Sequence, residues 1–249
     1  MVTKKSILSQ LYASVLINSI YSMENYPAMF INAVMSPLSI LIIITLVSRG
    51  ALLSVSVSGA LIMTMVTAGI GLQADLSHLK NDYKVQDMVV SSPTSVTTYM
   101  VGMALSEIVF VIPTLIVLAV LSVLFIKTTA IGAMVIFTVM SLMFIFSIAL
   151  GFFLSTYSSD VIQNYAFIGI LSIILATIPP VYYPITYIPL PYRYIAYLSP
   201  TTYAAEIVQN AIGYLPLPAK MLVIDWAVVA ACTLVLLVVS IKRSRWREV

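Results

Sequence analysis

Four residues near the middle of the chain come closest to a catalytic constellation: Asp75, His78, Asp82 and Asp87. Carboxylates and a histidine gathered at a membrane face are what metal-assisted chemistry on lipid-linked substrates requires. The spacing of these four matches no metal motif. His78 is the lone histidine and Cys232 the lone cysteine, so a two-histidine metal site, a cysteine-ligated zinc and an intrachain disulfide lack their residues. No G-x-x-x-x-G-K-[ST] loop occurs, so the chain has no phosphate cradle of the usual kind. Glu107 is a different candidate, an acid well inside an apolar run. A charge there costs roughly 2.5–3.5 kcal/mol on insertion scales and therefore faces protein or water. It is the natural proton or ion site of a gradient-driven carrier, unless a tilted helix brings it to the headgroups.

The elements that position these residues are membrane helices. Of 249 residues 61% are hydrophobic and only 8% charged, and the mean hydropathy is +1.07. A soluble domain would carry roughly a quarter charged residues. The net charge of +3 is scattered or juxtamembrane and carries no nucleic-acid footprint. Helix-length apolar runs predict an all-α integral membrane protein, one domain over 1–249, with six transmembrane helices at 28–48, 51–73, 97–126, 131–154, 161–181 and 221–241. The third is long enough to tilt, and Pro37 and Pro113 are expected kinks. Gly69 and Gly71, with Ala68, suit close helix packing. Asp160 reads as the N-cap of the fifth helix. Asp225, near one end of the last, reads as reaching interfacial water.

Residues 4–22 predict an amphipathic helix lying in the interface. Leu8, Leu11, Tyr12, Val15 and Ile20 gather on one side, and Ser6, Gln10, Ser14, Asn18 and Ser22 on the other. An uncleaved leader is the competing reading, though polar residues interrupt its apolar core. With the N-terminus cytosolic, the inner segments hold Lys4, Lys5, Lys80, Lys84, Lys242, Arg243, Arg245 and Arg247. The outer ones hold Arg49, Lys127, Arg193 and Lys220. Eight against four places both termini in the cytosol. The segment 74–96 is then cytosolic and 182–220 extracellular.

That outer stretch is unusual. Tyr182 to Tyr203 holds seven of the fifteen tyrosines, which suits the interfacial belt. Pro179, Pro180, Pro184, Pro189 and Pro191 stop the fifth span and hold the chain extended. A first short helix through Tyr194, Ala196, Tyr197 and Leu198 is closed by Ser199 and Pro200. A second, capped by Thr201 or Thr202, runs from Ala204 to Ile212 and ends at Gly213. Together they predict a short re-entrant helical cap before the last span.

The stretch "YPITYIPLPYRYIAYLSPTTY" resembles the segment before the last span of ABC-2 type transporter permeases, through Tyr183, Pro184, Pro189 or Pro191, Arg193, Pro200, Thr202 and Tyr203. "NDYKVQDMVVSSPTS" is similar to the family's cytosolic stretch, with Asp82, Lys84, Asp87, Met88, Val89, Val90, Ser91, Ser92 and Pro93, followed by Gly102 in the next helix. It departs from the family in lacking a glycine after the charged run, where Val85 stands.

The resemblance implies a permease of the cell membrane, working as a dimer with a second copy or a related permease. A separate ABC ATPase drives export. The chain itself binds no cofactor, and ATP and Mg sit on the ATPase. Asp82, Lys84, Asp87 and Pro93 then form the ATPase-coupling segment, where the competing reading is a solvated loop. Glu107 lines the translocation path or hydrogen-bonds across the dimer. Tyr183, Pro184, Pro189, Pro200 and Tyr203 build the cap. So few charges suit an amphipathic or lipid-like substrate. A gradient-driven carrier and a membrane enzyme acting on lipid-linked substrates are the alternatives.

Overall fold

The structure, a computed structural model, describes residues 7–25, 27–81, 95–157 and 161–243. Every regular element among them is helical. Helix α1 (Ile7–Val15) passes through a π-helical turn (Leu16–Ile20) into α2 (Tyr21–Asn25). The long helices α3 (Pro27–Val47), α4 (Leu53–Asn81), α5 (Val96–Phe125) and α6 (Ala130–Tyr157) follow. Helix α7 (Val161–Ser172) ends in a second π turn, Ile173–Thr177. Beyond it come a 3-10 turn (Ile185–Tyr187), α8 (Leu190–Ala196), α9 (Pro200–Ala211) and α10 (Ala219–Arg243).

Among the described residues four stretches are long and apolar enough to cross a membrane: Leu53–Gln73, Thr97–Phe125, Ala130–Ser155 and Ala219–Lys242. Two more apolar helices, Val34–Val47 and Tyr165–Thr177, are shorter and lie within the first and fifth expected spans. The fifth ends at Thr177 rather than 181. Pro179 and Pro180 lack amide donors and push the preceding residue out of helical geometry, so the helix unwinds before them. Helices α3 and α5 continue through Pro37 and Pro113. A tight turn joins α3 to α4, with Gly50 at φ 83 and its amide donating to Thr45 O at 2.8 Å.

Helix α4 is the centre of the molecule. In its apolar window 89% of residues are buried, against 17% in α5 and α10. The reason lies in its small and hydroxyl-bearing residues. Ser56, Ser58, Gly59, Thr64 and Gly69 leave room for neighbouring backbones, the usual basis of helix association in lipid. Thr64 and Ser58 return their hydroxyls to the carbonyls of Ala60 and Val55, both at 2.8 Å, so little polarity is left unmet.

The tightest crossing is α4 on α6. A Cβ on Gly69 would overlap Ser147 Oγ and come within 2.5 Å of the backbone of Ser147 and Ile148. A Cβ on Gly151 would overlap the carbonyl oxygen of Gly69. Ser147 Oγ donates across this contact to Met65 O at 3.1 Å. The packing role expected of Gly69 is therefore present. Gly71 does not share it, since a Cβ there meets nothing within 4 Å.

Helix α1 packs on α5, and it does so by its polar strip. Ser14 lies against Gly102, where an added Cβ would be 3.0 Å away. Asn18 Nδ2 donates to the sulfur of Met103 at 3.2 Å, and Ser19 is fully buried. Leu8, Tyr12, Leu16 and Ile17 face outward. Small polar residues permit close approach to a helix, while the apolar side suits lipid.

Candidate functional site

Two regions carry the residues of interest. At one end of the bundle, α4 continues as helix past Gln73 to Asn81, and α5 begins at Val96. Ser95 has extended backbone, φ −83 and ψ 155, and its hydroxyl accepts from the Thr98 amide at 3.1 Å as an N-cap. Asp82, Lys84, Asp87 and Pro93 lie between these two anchors, outside the described residues, as does Asp160. Glu107, 7% exposed, lies one helical turn beyond Met103, which holds α1 in place.

The other region is the run of short helices from 179 to 213, where a cap is expected. Pro179 to Tyr182 are buried against α4, not spread on a surface. Ser56 Oγ donates to Tyr182 O at 3.1 Å, and a Cβ on Gly59 would overlap Val181 O. Gln209 of α9 donates to the carbonyls of Pro180 and Tyr183, at 3.4 and 3.3 Å. Pro184 precedes the 3-10 turn, Pro189 precedes α8, and Pro200 is the first residue of α9. Each sits where a missing amide donor costs nothing. Arg193 folds back, its Nε donating to Ile188 O at 2.7 Å and its second guanidinium nitrogen to Thr186 O at 3.0 Å.

Residue Ser199, not Thr201 or Thr202, is the N-cap of α9. Its hydroxyl pairs with Thr201 Oγ1 at 2.7 Å, and Thr202 is committed to the carbonyl of Ala196. The helix ends at Ala211, and Gly213 at φ 74 turns the chain away. The five expected cap residues all lie on this run of short helices, Tyr183 and Pro184 before the 3-10 turn, Pro189 before α8, and Pro200 and Tyr203 on α9. Of the seven tyrosines from Tyr182 to Tyr203, only Tyr187, Tyr192 and Tyr194 are well exposed, as an interfacial belt requires. Tyr182 is buried, and Tyr197 and Tyr203 meet with ring centroids 5.5 Å apart.

Beside those rings the structure places two acids. Glu206 of α9 is 4% exposed and Asp225 of α10 is 3% exposed. The Tyr197 hydroxyl donates to Glu206 Oε1 at 2.9 Å. Burial pushes the Glu206 carboxyl up to about 7; the tyrosine bond opposes this, and the negative Asp225 adds to it. The Tyr197 hydroxyl is raised well above its usual value, first by its own burial and then by Glu206. Asp225 therefore does not reach interfacial water, because α9 covers it. Glu206 escaped the sequence reading. Its one local signal is an acid between Ala204, Ala205, Ile207 and Val208.

The sequence profile of the ABC-2 type transporter family matches residues 10–212, from α1 through the end of α9. The chain belongs to this family. It is a multi-pass membrane permease, the transport component of an ABC transporter. No individual curated protein matches the ABC-2 permease. Both regions just described, the flanks of the 82–94 segment and the cap with its acids, fall inside the matched residues, except Asp225.

Proposed function

We propose that the permease forms the translocation path of an ATP-driven exporter as a dimer, coupled to a separate ABC ATPase through the segment holding Asp82, Lys84, Asp87 and Pro93. The observation that carries this reading is the family match across residues 10–212. The ends of α4 and α5 support it by presenting that segment between two helices of the central bundle. Its orientation follows from the same reading: the segment and both termini are cytosolic, and the cap is re-entrant from outside. ATP and Mg belong to the ATPase, and this chain holds no cofactor.

The test is charge reversal. Asp82→Lys with Asp87→Lys sets like charge against a basic rim on the partner, and rim pairs contribute from under ~1 kcal/mol to several when buried. The double variant is expected to lose co-purification with the ATPase and the stimulation of its rate in nanodiscs, while staying folded. Unchanged stimulation with unchanged co-purification would dismiss this segment as the coupling element.

The substrate we propose is amphipathic or lipid-like, because Glu107 and Asp225 are the only acids in the four apolar stretches. Glu107 is assigned to the path. Glu107→Gln should change transport rate or substrate choice several-fold with assembly intact. Wild-type transport by that variant removes it from the path.

A further inference from the structure

Two acids, Glu206 and Asp225, are both buried where α9 packs on α10, and neither is neutralised by a cation among the described residues. The charged and titratable groups around them can be named element by element. On α10 they are Lys220, which is exposed in the first turn, and the half-buried thiol of Cys232; Lys242 and Arg243 lie at the far end. On α8, Arg193 is spent on the carbonyls of Ile188 and Thr186, and Tyr197, which caps its C-terminus, already serves Glu206. Tyr203 lies on α9 itself, and Tyr182 and Tyr183 on the segment beneath it. The facing parts of α4 and α6 and the π turn Ile173–Thr177 carry no charged residue.

A second observation is independent of the acidity of the pair. Asp225 Oδ2 is fully buried and receives no hydrogen bond. An ionised carboxylate oxygen with no donor is costly in a protein interior, and two ionised carboxylates side by side are costlier. A proton taken up at this joint removes one of the two charges and needs no cavity. We propose that Glu206 and Asp225 form a proton-binding site that takes up one proton at this joint and seats α9 on α10. Loss of that proton leaves two like charges across the joint and loosens the cap from the last span.

The direction with pH follows from linkage. A carboxyl whose value rises from 4.5 to about 7 on folding binds its proton more tightly in the seated cap. Its stabilising effect is complete below 4.5 and is lost as pH rises through about 7. Across that window one extra bound proton makes the opening of α9 up to about tenfold more frequent per pH unit. The inference does not depend on ATPase coupling, so failure of either leaves the other standing.

The experiment is amide hydrogen exchange of the permease alone in nanodiscs, followed over this pH range and corrected for intrinsic exchange. Residues 200–211 should open progressively more as pH rises, while amides of α6 do not change. In Glu206→Gln the pH dependence should vanish and α9 should stay protected. Asp225→Asn should flatten it in the same way and serves where the first variant fails to fold. A flat wild-type profile overturns the proposal. So does an equal rise in α6, which would mean global unfolding, or a Glu206→Gln profile with the wild-type slope.

Discussion

Valine at position 69 should take the bundle apart. The Cβ of Gly69→Val overlaps Ser147 Oγ and presses on the backbone of Ser147 and Ile148, so no change of rotamer can relieve it. Overpacking a core typically costs about 1–3 kcal/mol, and the cost rises where rigid backbone is the obstacle. The expected result is a large fall in the midpoint of thermal unfolding in nanodiscs, with loss of monodisperse protein. Gly71→Ala should behave in the opposite way. Its Cβ meets nothing, and alanine in a helix interior gains roughly 0.5–1 kcal/mol over glycine. Destabilisation of equal size at both positions would refute the α4–α6 contact as the origin of the effect.

Gly59→Val should unseat the cap and leave the bundle in place. The new side chain drives into the carbonyl of Val181, whose carbon is 2.9 Å from the added Cβ. It also breaks the bond from Ser56 to Tyr182 O. Removing that bond alone, by Ser56→Ala, costs on the order of 1 kcal/mol. The glycine variant should cost clearly more, because it displaces the segment beneath α9 as well. A cysteine at Val181, in a Cys232→Ser background, reads the outcome through maleimide labelling. It should be protected with Gly59 and reactive with valine. Protection in both would mean that the segment is not held by α4.

The helices 97–126, 131–154 and 221–241 were legible from apolar length alone, and the structure moves their ends by three residues at most. So was the cap as two short helices, because proline and glycine act locally. What was not legible depends on contacts between distant segments. The polar strip of α1 reads as a water-facing surface, yet Ser14 and Asn18 turn toward α5; in lipid, small polar residues mark the packed side. Asp225 sits near a helix end, and nothing in its neighbours announces that α9 will cover it. Glu206 and Asp225 are nineteen positions apart, and only the turn at Gly213 packs their two helices on each other. The continuation of α4 to Asn81 could have been seen, since no breaker follows Gly71.

Helix α4 touches the cap at Gly59 and reaches the edge of the 82–94 segment at Asn81. At a rise of 1.5 Å per residue these points are roughly 33 Å apart on one unbroken rod. A rod of that length is a lever. Rocking it by about ten degrees about Asn81 carries Gly59, and the Val181 carbonyl pressed against it, sideways by roughly 6 Å, more than the pitch of one helical turn. Small strokes at one face of the bilayer therefore arrive at the other enlarged, with no joint between them to absorb the motion.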